Sequence, residues 1–336
     1  MKTTANSTAL LQQIKQAAPK IAVVGSANVD LTVVVRELPQ AGETVPGSDL
    51  AQLPGGKSAN QAVAAALLGA QVRFAGNVGN DAHGDLLCDS LQKAGVDTSL
   101  VGRPDTPTGT ALIVVDAEAE NTIVISAGAN SHVTSDFVAE VAEQLYDEAA
   151  VVGLCLEVAT DAVAAAAKAA KQRGVSVVLN YSPIKEVSEQ LFSAVDVLIV
   201  NEHELARLLV GLGADLAGSS HYTDAVQWEH AAQLIEDAYG ISQLVVTLGA
   251  AGSVVVEKTQ QGYEVAEIPA VAVSVVDTTG CGDAYLAALL AGLGAELSLV
   301  DAAQVAAVVS GYAASSLGAQ RSYGTTDQIM QKLAGR

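Results

Sequence analysis

Short, continuous apolar runs alternate with Ala-rich stretches of helical period along most of this chain. That alternation is the signature of strands buried on both faces and crossed by helices, the parallel α/β arrangement. Ile21–Val24 predicts a first buried strand ending at Gly25. Ser58–Leu68 predicts a helix, Val72–Ala75 a strand and Gly84–Ala94 a helix. Further strands are expected at Ala150–Leu156, Val175–Asn180, Val195–Val200, Leu244–Leu248 and Ser253–Val256. Helices are expected at Asp161–Arg173, Glu202–Val210, Gln227–Tyr239, Gly282–Leu293 and Ser298–Ser316.

Two stretches break the rhythm. Leu31–Gln52 and Thr110–Ser126 alternate apolar with polar residues, which implies strands with one exposed face. They predict a small antiparallel sheet projecting from the α/β body as a lid, the other reading being an antiparallel edge of the main sheet. Apolar positions such as Val33 and Val35, or Leu112 and Val114, would face outward on such a lid and be hazardous in a monomer.

Composition narrows the class. With 336 residues, 50% of them hydrophobic but only 4% aromatic, the chain must build its core from Ala, Val and Leu. One sizeable domain over 21–336 is expected, preceded by a polar N-terminal extension, 1–20, whose apolar kernel is only Leu10-Leu11. The net charge of −20 argues against nucleic-acid or anionic-membrane partners. Any phosphate must therefore be held by local dipoles and cations. Cys88, Cys155 and Cys281 form no CxxC pair, and no signal peptide is evident, so reduced thiols in the cytoplasm are expected. The most apolar region, Ala284–Ser316, is interrupted by Glu296 and Asp301 and predicts buried helices, without a membrane span. Gly211–Asp224 is polar and predicts a surface loop, and the histidines show no zinc spacing.

The richest chemistry lies in Val275–Ala287, where a β-branched run reaches Asp277, turns through Thr278-Thr279-Gly280-Cys281-Gly282 and enters a helix at Asp283. A glycine-rich loop at a helix N-terminus aims backbone N–H groups at one point beside the positive end of the dipole, an anion hole. A carboxylate beside such a hole suits phosphoryl transfer to an alcohol. The plain alternative is a strand-to-helix turn with Asp as a helix-start residue. Pro54-Gly55-Gly56-Lys57-Ser58 imitates the end of a P-loop, but Ala51 stands where that motif needs glycine, and polar residues precede it.

Taken in order, Asn28-x-Asp30, Gly55-Gly56-Lys57-Ser58-Ala59-Asn60, Asn201-x-x-Glu204, Thr247-Leu248-Gly249-Ala250-Ala251-Gly252 and Asp277–Asp283 resemble the ribokinase-like (phosphofructokinase-B type) carbohydrate kinases over about Lys20–Thr325. Glu120–Ile123, Ala127–Asn130 and Gly318–Gln320 resemble the ribokinase branch of that family. The resemblance implies a three-layer α/β/α fold and MgATP-dependent phosphorylation of a sugar hydroxyl, D-ribose first. A fructose, nucleoside or other ribosyl kinase and a non-catalytic sugar-binding paralogue are the alternatives. It implies Asp283 as the base, with Gly280, Cys281 and Gly282 as the anion hole. Asn28, Asp30, Gly55, Gly56, Lys57, Asn60 and Glu157 would bind the sugar. Asn201, Thr247, Leu248, Gly249, Ala250, Ala251, Gly252 and Gly282 would bind ATP, and Glu204 would serve Mg²⁺ through water. Asp277, Thr279, Ala313, Ser316, Gly318 and Ser322 would surround an activating K⁺. The same resemblance implies a homodimer joined through its lids. Ser58, Cys281 and Asn180-Tyr181-Ser182-Pro183 depart from the family pattern, which usually has glycine, a small residue and Asn-Pro-Ala-Pro at those places.

Overall fold

The computed structural model describes residues 2–118, 120–214 and 225–335. Residues 215–224, most of the expected Gly211–Asp224 loop, lie outside them. The chain opens with α1 (Lys2–Ala17), β1 (Lys20–Val24), β2 (Asn28–Val34), β3 (Ala51–Gly55), α2 (Lys57–Leu67) and β4 (Gln71–Asn77). Then come α3 (Ala82–Lys93), β5 (Asp97–Gly102), β6 (Thr110–Val115), β7 (Asn121–Ser126), α4 (Ser135–Leu145) and β8 (Val151–Cys155). The middle continues with α5 (Thr160–Lys171), β9 (Ser176–Asn180), α6 (Glu189–Phe192), β10 (Val197–Asn201), α7 (Glu202–Gly211) and α8 (Ala225–Tyr239). The C-terminal part holds β11 (Gln243–Thr247), β12 (Ser253–Thr259), β13 (Gly262–Ile268), α9 (Cys281–Gly294), α10 (Leu299–Ala313) and α11 (Thr326–Ala334).

The main sheet has nine strands in the order β13-β12-β11-β10-β9-β8-β1-β4-β5. All its pairings are parallel except β11–β12 and β12–β13, which close one edge antiparallel. Alternate residues of each buried strand serve opposite layers, as the period of two demands. Ile21 and Val23 of β1 pack with α2, α9 and α10 on one face, whereas Ala22 and Val24 join the core under α4, α5, α7 and α8. The three-layer α/β/α architecture is thus the one expected. Because α2, α9 and α10 are rich in alanine, their axes can approach closely, and α9 packs against both of the others.

The smaller sheet has the order β3-β2-β6-β7. Two of its junctions are antiparallel, and β2 runs parallel to β6. Its outward face is not laid out as the alternation suggested. Val34 is 49% exposed while Val35 is only 6% exposed, because the Val35–Gly47 bridge folds the following loop over it. Leu112, Ile123, Val124 and Ile125 are exposed.

Two further differences have clear causes. The segment 271–276, which ends in the β-branched pair Val275-Val276, forms no strand; the Val276 N–H goes instead to Ala314 O, beyond the end of α10, at 2.8 Å. The N-terminal extension is a helix whose Leu11 and Ile14 are fully enclosed. Asn6 Nδ2 donates to Gln304 Oε1 of α10 at 2.9 Å, and Lys15 pairs with Asp327 of α11 at 2.7 Å. Among the described residues, no helix is long and apolar enough to cross a membrane. Since α1 is docked through these apolar side chains, Leu11→Ala should lower unfolding free energy by about 2–5 kcal/mol in urea titration. A change below about 0.5 kcal/mol would mean that α1 does not share the cooperative core.

Candidate active site

The C-terminal ends of β1, β8 and β10 and the first turns of α2 and α9 meet on one side of the main sheet, next to the smaller sheet. Open parallel sheets place ligands at these carboxyl ends. The loop entering α9 is held from several directions. Asp277 Oδ1 accepts from Thr279 N at 2.9 Å and Oδ2 from Gly318 N at 2.8 Å. Those N–H groups outweigh burial and hold the Asp277 carboxyl below its usual range, so it is ionised. Gly280 caps α9 in the left-handed region at φ 75°, where a Cβ would press on Ala319 and the Tyr323 hydroxyl. Tyr323 Oη donates to Gly280 O at 2.9 Å.

Cys281 N–H, expected to face the anion, instead donates to Thr278 O at 3.1 Å within the turn. The Gly282 and Asp283 N–H groups follow it in the first helical turn, where no intrahelical carbonyl is available to them. The Cys281 thiol is pushed up to about 11 by burial and by Asp277, so it stays protonated.

Asp283 is buried at the centre. Its Oδ2 accepts from Asn60 Nδ2 at 2.9 Å and its Oδ1 from Gln61 Nε2 at 3.3 Å. Burial raises the Asp283 carboxyl above its ordinary value despite the opposing pull of Lys57 and the two amides. For Lys57 burial acts downward, but the facing Asp283 and Glu157 carboxylates prevail, so the ammonium persists. Burial, together with Glu157 and Asp283, lifts Asp30 to about 7. Glu157 Oε2 accepts from Ser26 Oγ at 2.6 Å and from Lys57 N at 3.0 Å, tying the loop after β8 to the start of α2. A Cβ on Gly55 would overlap the Asp30 carboxylate, which makes glycine the residue for that place.

The amide candidates divide. Asn28 Oδ1 accepts from Asn130 Nδ2 at 2.8 Å. Asn60, expected to face a sugar, spends its amide inside the protein: Gln320 Nε2 donates to its Oδ1 at 3.0 Å, and Ser90 Oγ donates to Gln320 Oε1 at 2.7 Å. Gln61 and Tyr323 carry no role in the sequence motifs, and Asn130 and Gln320 enter there only as part of the family resemblance. The one local signal was a polar pair, Asn60-Gln61, inside an otherwise alanine-rich buried helix.

Two cavities flank the α9 loop. One, of about 230 Å³, is polar and is lined by Lys57, Asn180, Asn201, Glu204, Gly280 and Asp283 among others. The other, of about 270 Å³, is more apolar; Thr247, Gly249, Ala250, Gly252, Cys281 and Gly282 line it together with Val271, Val273 and Val275. Thr247, Thr278 and Gly282 border both. Leu248 and Ala251 hold the turn itself, with Leu248 N bonded to Gly252 O at 2.8 Å and Ala251 N to Leu248 O at 3.0 Å.

Asn201 and Glu204 form a capping box at the start of α7, exchanging bonds of 2.8 Å in each direction. Only Glu204 Oε2 is used there, which leaves a carboxylate oxygen for a hydrated Mg²⁺ in the polar cavity. The carboxylate of ionised Asp277, which already accepts from Thr279 N and Gly318 N, is a hard oxygen donor of the kind that suits K⁺. Ala313 O accepts from Ser316 N at 3.2 Å, yet a carbonyl keeps a second lone pair. Ser322 Oγ turns to Ala319 O at 2.8 Å. Among the described residues, no group of three or more His, Cys, Asp and Glu side chains converges as a metal site.

Residues 18–326 match the pfkB family carbohydrate kinase. A ribokinase of Lactococcus lactis is 33% identical over 315 residues, covering 94% of this chain and 97% of that protein. A deoxyribokinase of Salmonella typhi is 32% identical over 320 residues, covering 94% and 98%. The solved structure of Arabidopsis thaliana ribokinase complexed with ribose and ATP matches with a TM-score of 0.82 at 31% identity, over 94% of this chain and 99% of that one. The fold, the order of motifs and the extent of these matches agree: the chain belongs to the pfkB family of carbohydrate kinases.

Proposed function

We propose that this protein transfers the γ-phosphoryl group of MgATP to the 5-hydroxyl of D-ribose, giving ribose 5-phosphate and ADP. The observation that carries this reading is the place of Asp283: buried, at the first turn of α9, lining the polar cavity beside Gly282, which borders both that cavity and the one lined by the Thr247–Gly252 loop. The ribokinase relatives and the ribose–ATP complex of the Arabidopsis thaliana enzyme support the acceptor and the donor.

In this reading Asp30, Asn28, Lys57, Glu157 and the Gly55-Gly56 backbone orient the sugar, so that reaction begins from an aligned pair. Asp283 accepts the hydroxyl proton as the oxygen attacks phosphorus. The Gly282 N–H at the positive end of α9 and the Lys57 ammonium stabilise the charge on the transferring group. Bound Mg²⁺ would supply charge neutralisation on the phosphates, with Glu204 and Asn201 holding its water shell. K⁺ would lie against Asp277, Thr279, Ala313, Ser316, Gly318 and Ser322 and hold the anion loop in shape. ADP release with ribose, 2-deoxyribose, fructose and adenosine tests the acceptor directly. Ribose should have the highest kcat/KM, whereas preference for fructose or adenosine would overturn the assignment. A preference for 2-deoxyribose would make that sugar the acceptor instead, as the name of the deoxyribokinase relative suggests.

Three outcomes follow from the site. Asp283→Asn should keep the fold and substrate binding while turnover falls by about 10²–10⁴-fold; more than about a tenth of wild-type turnover would remove Asp283 from the role of base. In the same assay Asp277→Asn should raise the K⁺ concentration needed for half-maximal rate and leave the base working.

Asp30, lifted to about 7, is protonated below that pH and a full acceptor above it. The KM for ribose should therefore fall about three- to tenfold as pH rises through 7. Asp30→Asn should raise KM and flatten this dependence, and an unchanged profile would refute it.

The exposed Leu112, Ile123, Val124 and Ile125 favour a homodimer joined lid to lid, and the free Cys88, Cys155 and Cys281 favour the cytoplasm as its place of action. Light scattering should give twice the 34.0 kDa of the chain; a fully active monomer would contradict the dimer.

A further inference from the structure

Asp283 rests on two amides of α2 that differ in what holds their far ends. Asn60 is locked as a donor by the Ser90–Gln320–Asn60 chain, whose links measure 2.7 and 3.0 Å. Gln61 is fully enclosed, its Nε2 lies 3.3 Å from Asp283 Oδ1, and its Oε1 is buried without any hydrogen-bond partner. Buried amide oxygens are nearly always satisfied, so an orphan beside a proton-accepting carboxyl requires a reason. The reason lies in the two protonation states of the base. An ionised Asp283 wants donors on both oxygens. Once it holds the sugar's proton, it becomes a donor and wants an acceptor. Asn60 cannot supply one, since turning its amide would break its bond to Gln320. Gln61 can, because rotation about its terminal torsion exchanges Nε2 and Oε1 at almost the same place and breaks no other bond.

We propose that Gln61 is a positioning residue for the base, donating to the Asp283 carboxylate before phosphoryl transfer and, turned over, accepting from the carboxylic acid afterwards. This rests on the phosphoryl-transfer reading above. In the step itself the sugar O–H bond breaks, its proton goes to Asp283, the sugar oxygen bonds to the γ-phosphorus, and the bond from that phosphorus to the bridging oxygen breaks, leaving its electron pair on ADP. The proton then passes from Oδ1 to solvent as product leaves. Gln61 exchanges hydrogen bonds only and takes up nothing. The other groups that face Asp283 are Lys57 of α2, Glu157 after β8, Asp30 of β2, Cys281 of α9 and Tyr323 after α10. Burial first and then Glu157 favour the acid, whereas Lys57 and the two amides favour the carboxylate.

The test is the pH profile of kcat with ribose and MgATP for wild type, Gln61→Met and Gln61→Glu. Methionine keeps length and apolar contact but neither donates nor accepts through an amide. It should lower kcat about tenfold, leave both KM values within about twofold, and move the acid limb up by about one pH unit, because the carboxylate has lost a donor. Glutamate puts a second carboxyl beside the base, so the pair should hold one proton, and the acid limb should move further up. A Gln61→Met enzyme with wild-type kcat and an unmoved limb, or with its whole loss in KM, would overturn the proposal. If methionine prevents folding, as shown by circular dichroism, the glutamate profile decides, and an unmoved limb there is equally fatal. A wild type that phosphorylates no sugar would overturn the underlying reading, and this proposal with it; an active wild type with unmoved variants would overturn this proposal alone.

Discussion

A carboxylate and an ammonium enclosed together at the starts of two helices set the terms for the rest of this molecule. Asp283 stands in the first turn of α9 and Lys57 begins α2; Asp283 helps keep the Lys57 ammonium charged, while Lys57 opposes the burial that raises the Asp283 carboxyl. In such surroundings charge interactions are stronger than in water, and misplacement is correspondingly costly. The alanine-rich faces of α2 and α9 bring the two helix starts close, and the parallel strands beneath present both on the same edge. Gly280 bends the chain so that the helix N-terminus opens toward the site, while Asp277, Gly318 and Tyr323 keep the bend in place.

The surroundings are otherwise hostile to a nucleotide. With a net charge of −20, the protein's long-range field repels ATP. Attraction must be local, from Lys57, from the N–H groups of α9, from accompanying cations, and from the apolar walls that Val271, Val273 and Val275 lend to the larger cavity. Those valines are free to line it because their segment runs along the end of α10 instead of pairing in a sheet.

Much of this was legible in the sequence. Buried strands such as Ile21–Val24 and helices such as Gln227–Tyr239 announce themselves through periodicity, and the structure moves their ends by a residue or two. The α9 loop and the acids around it were marked by glycine spacing. What escaped depended on long-range geometry. Val275-Val276 has strand composition but no strand partner, and Val34 and Val35 exchange faces because Gly47 folds back. Cys281 N–H is consumed by Thr278, a local turn bond that spacing alone does not reveal. Gln61 and Gln320 gain their meaning only from partners hundreds of residues away, Asp283 and Asn60. The capping box of Asn201 and Glu204 was visible as spacing, but as a functional pair; the structure adds that the same atoms also begin α7.

The central claim is that Asp283 receives the proton of a sugar hydroxyl poised below the α9 loop. A crystal structure with ribose and a non-hydrolysable ATP analogue tests it most directly. The account predicts the 5-hydroxyl oxygen within about 2.6–3.2 Å of an Asp283 carboxylate oxygen, with the terminal phosphoryl group at the Gly280–Gly282 backbone. A sugar seated with that hydroxyl turned away from Asp283, while another side chain contacts it, would contradict the account.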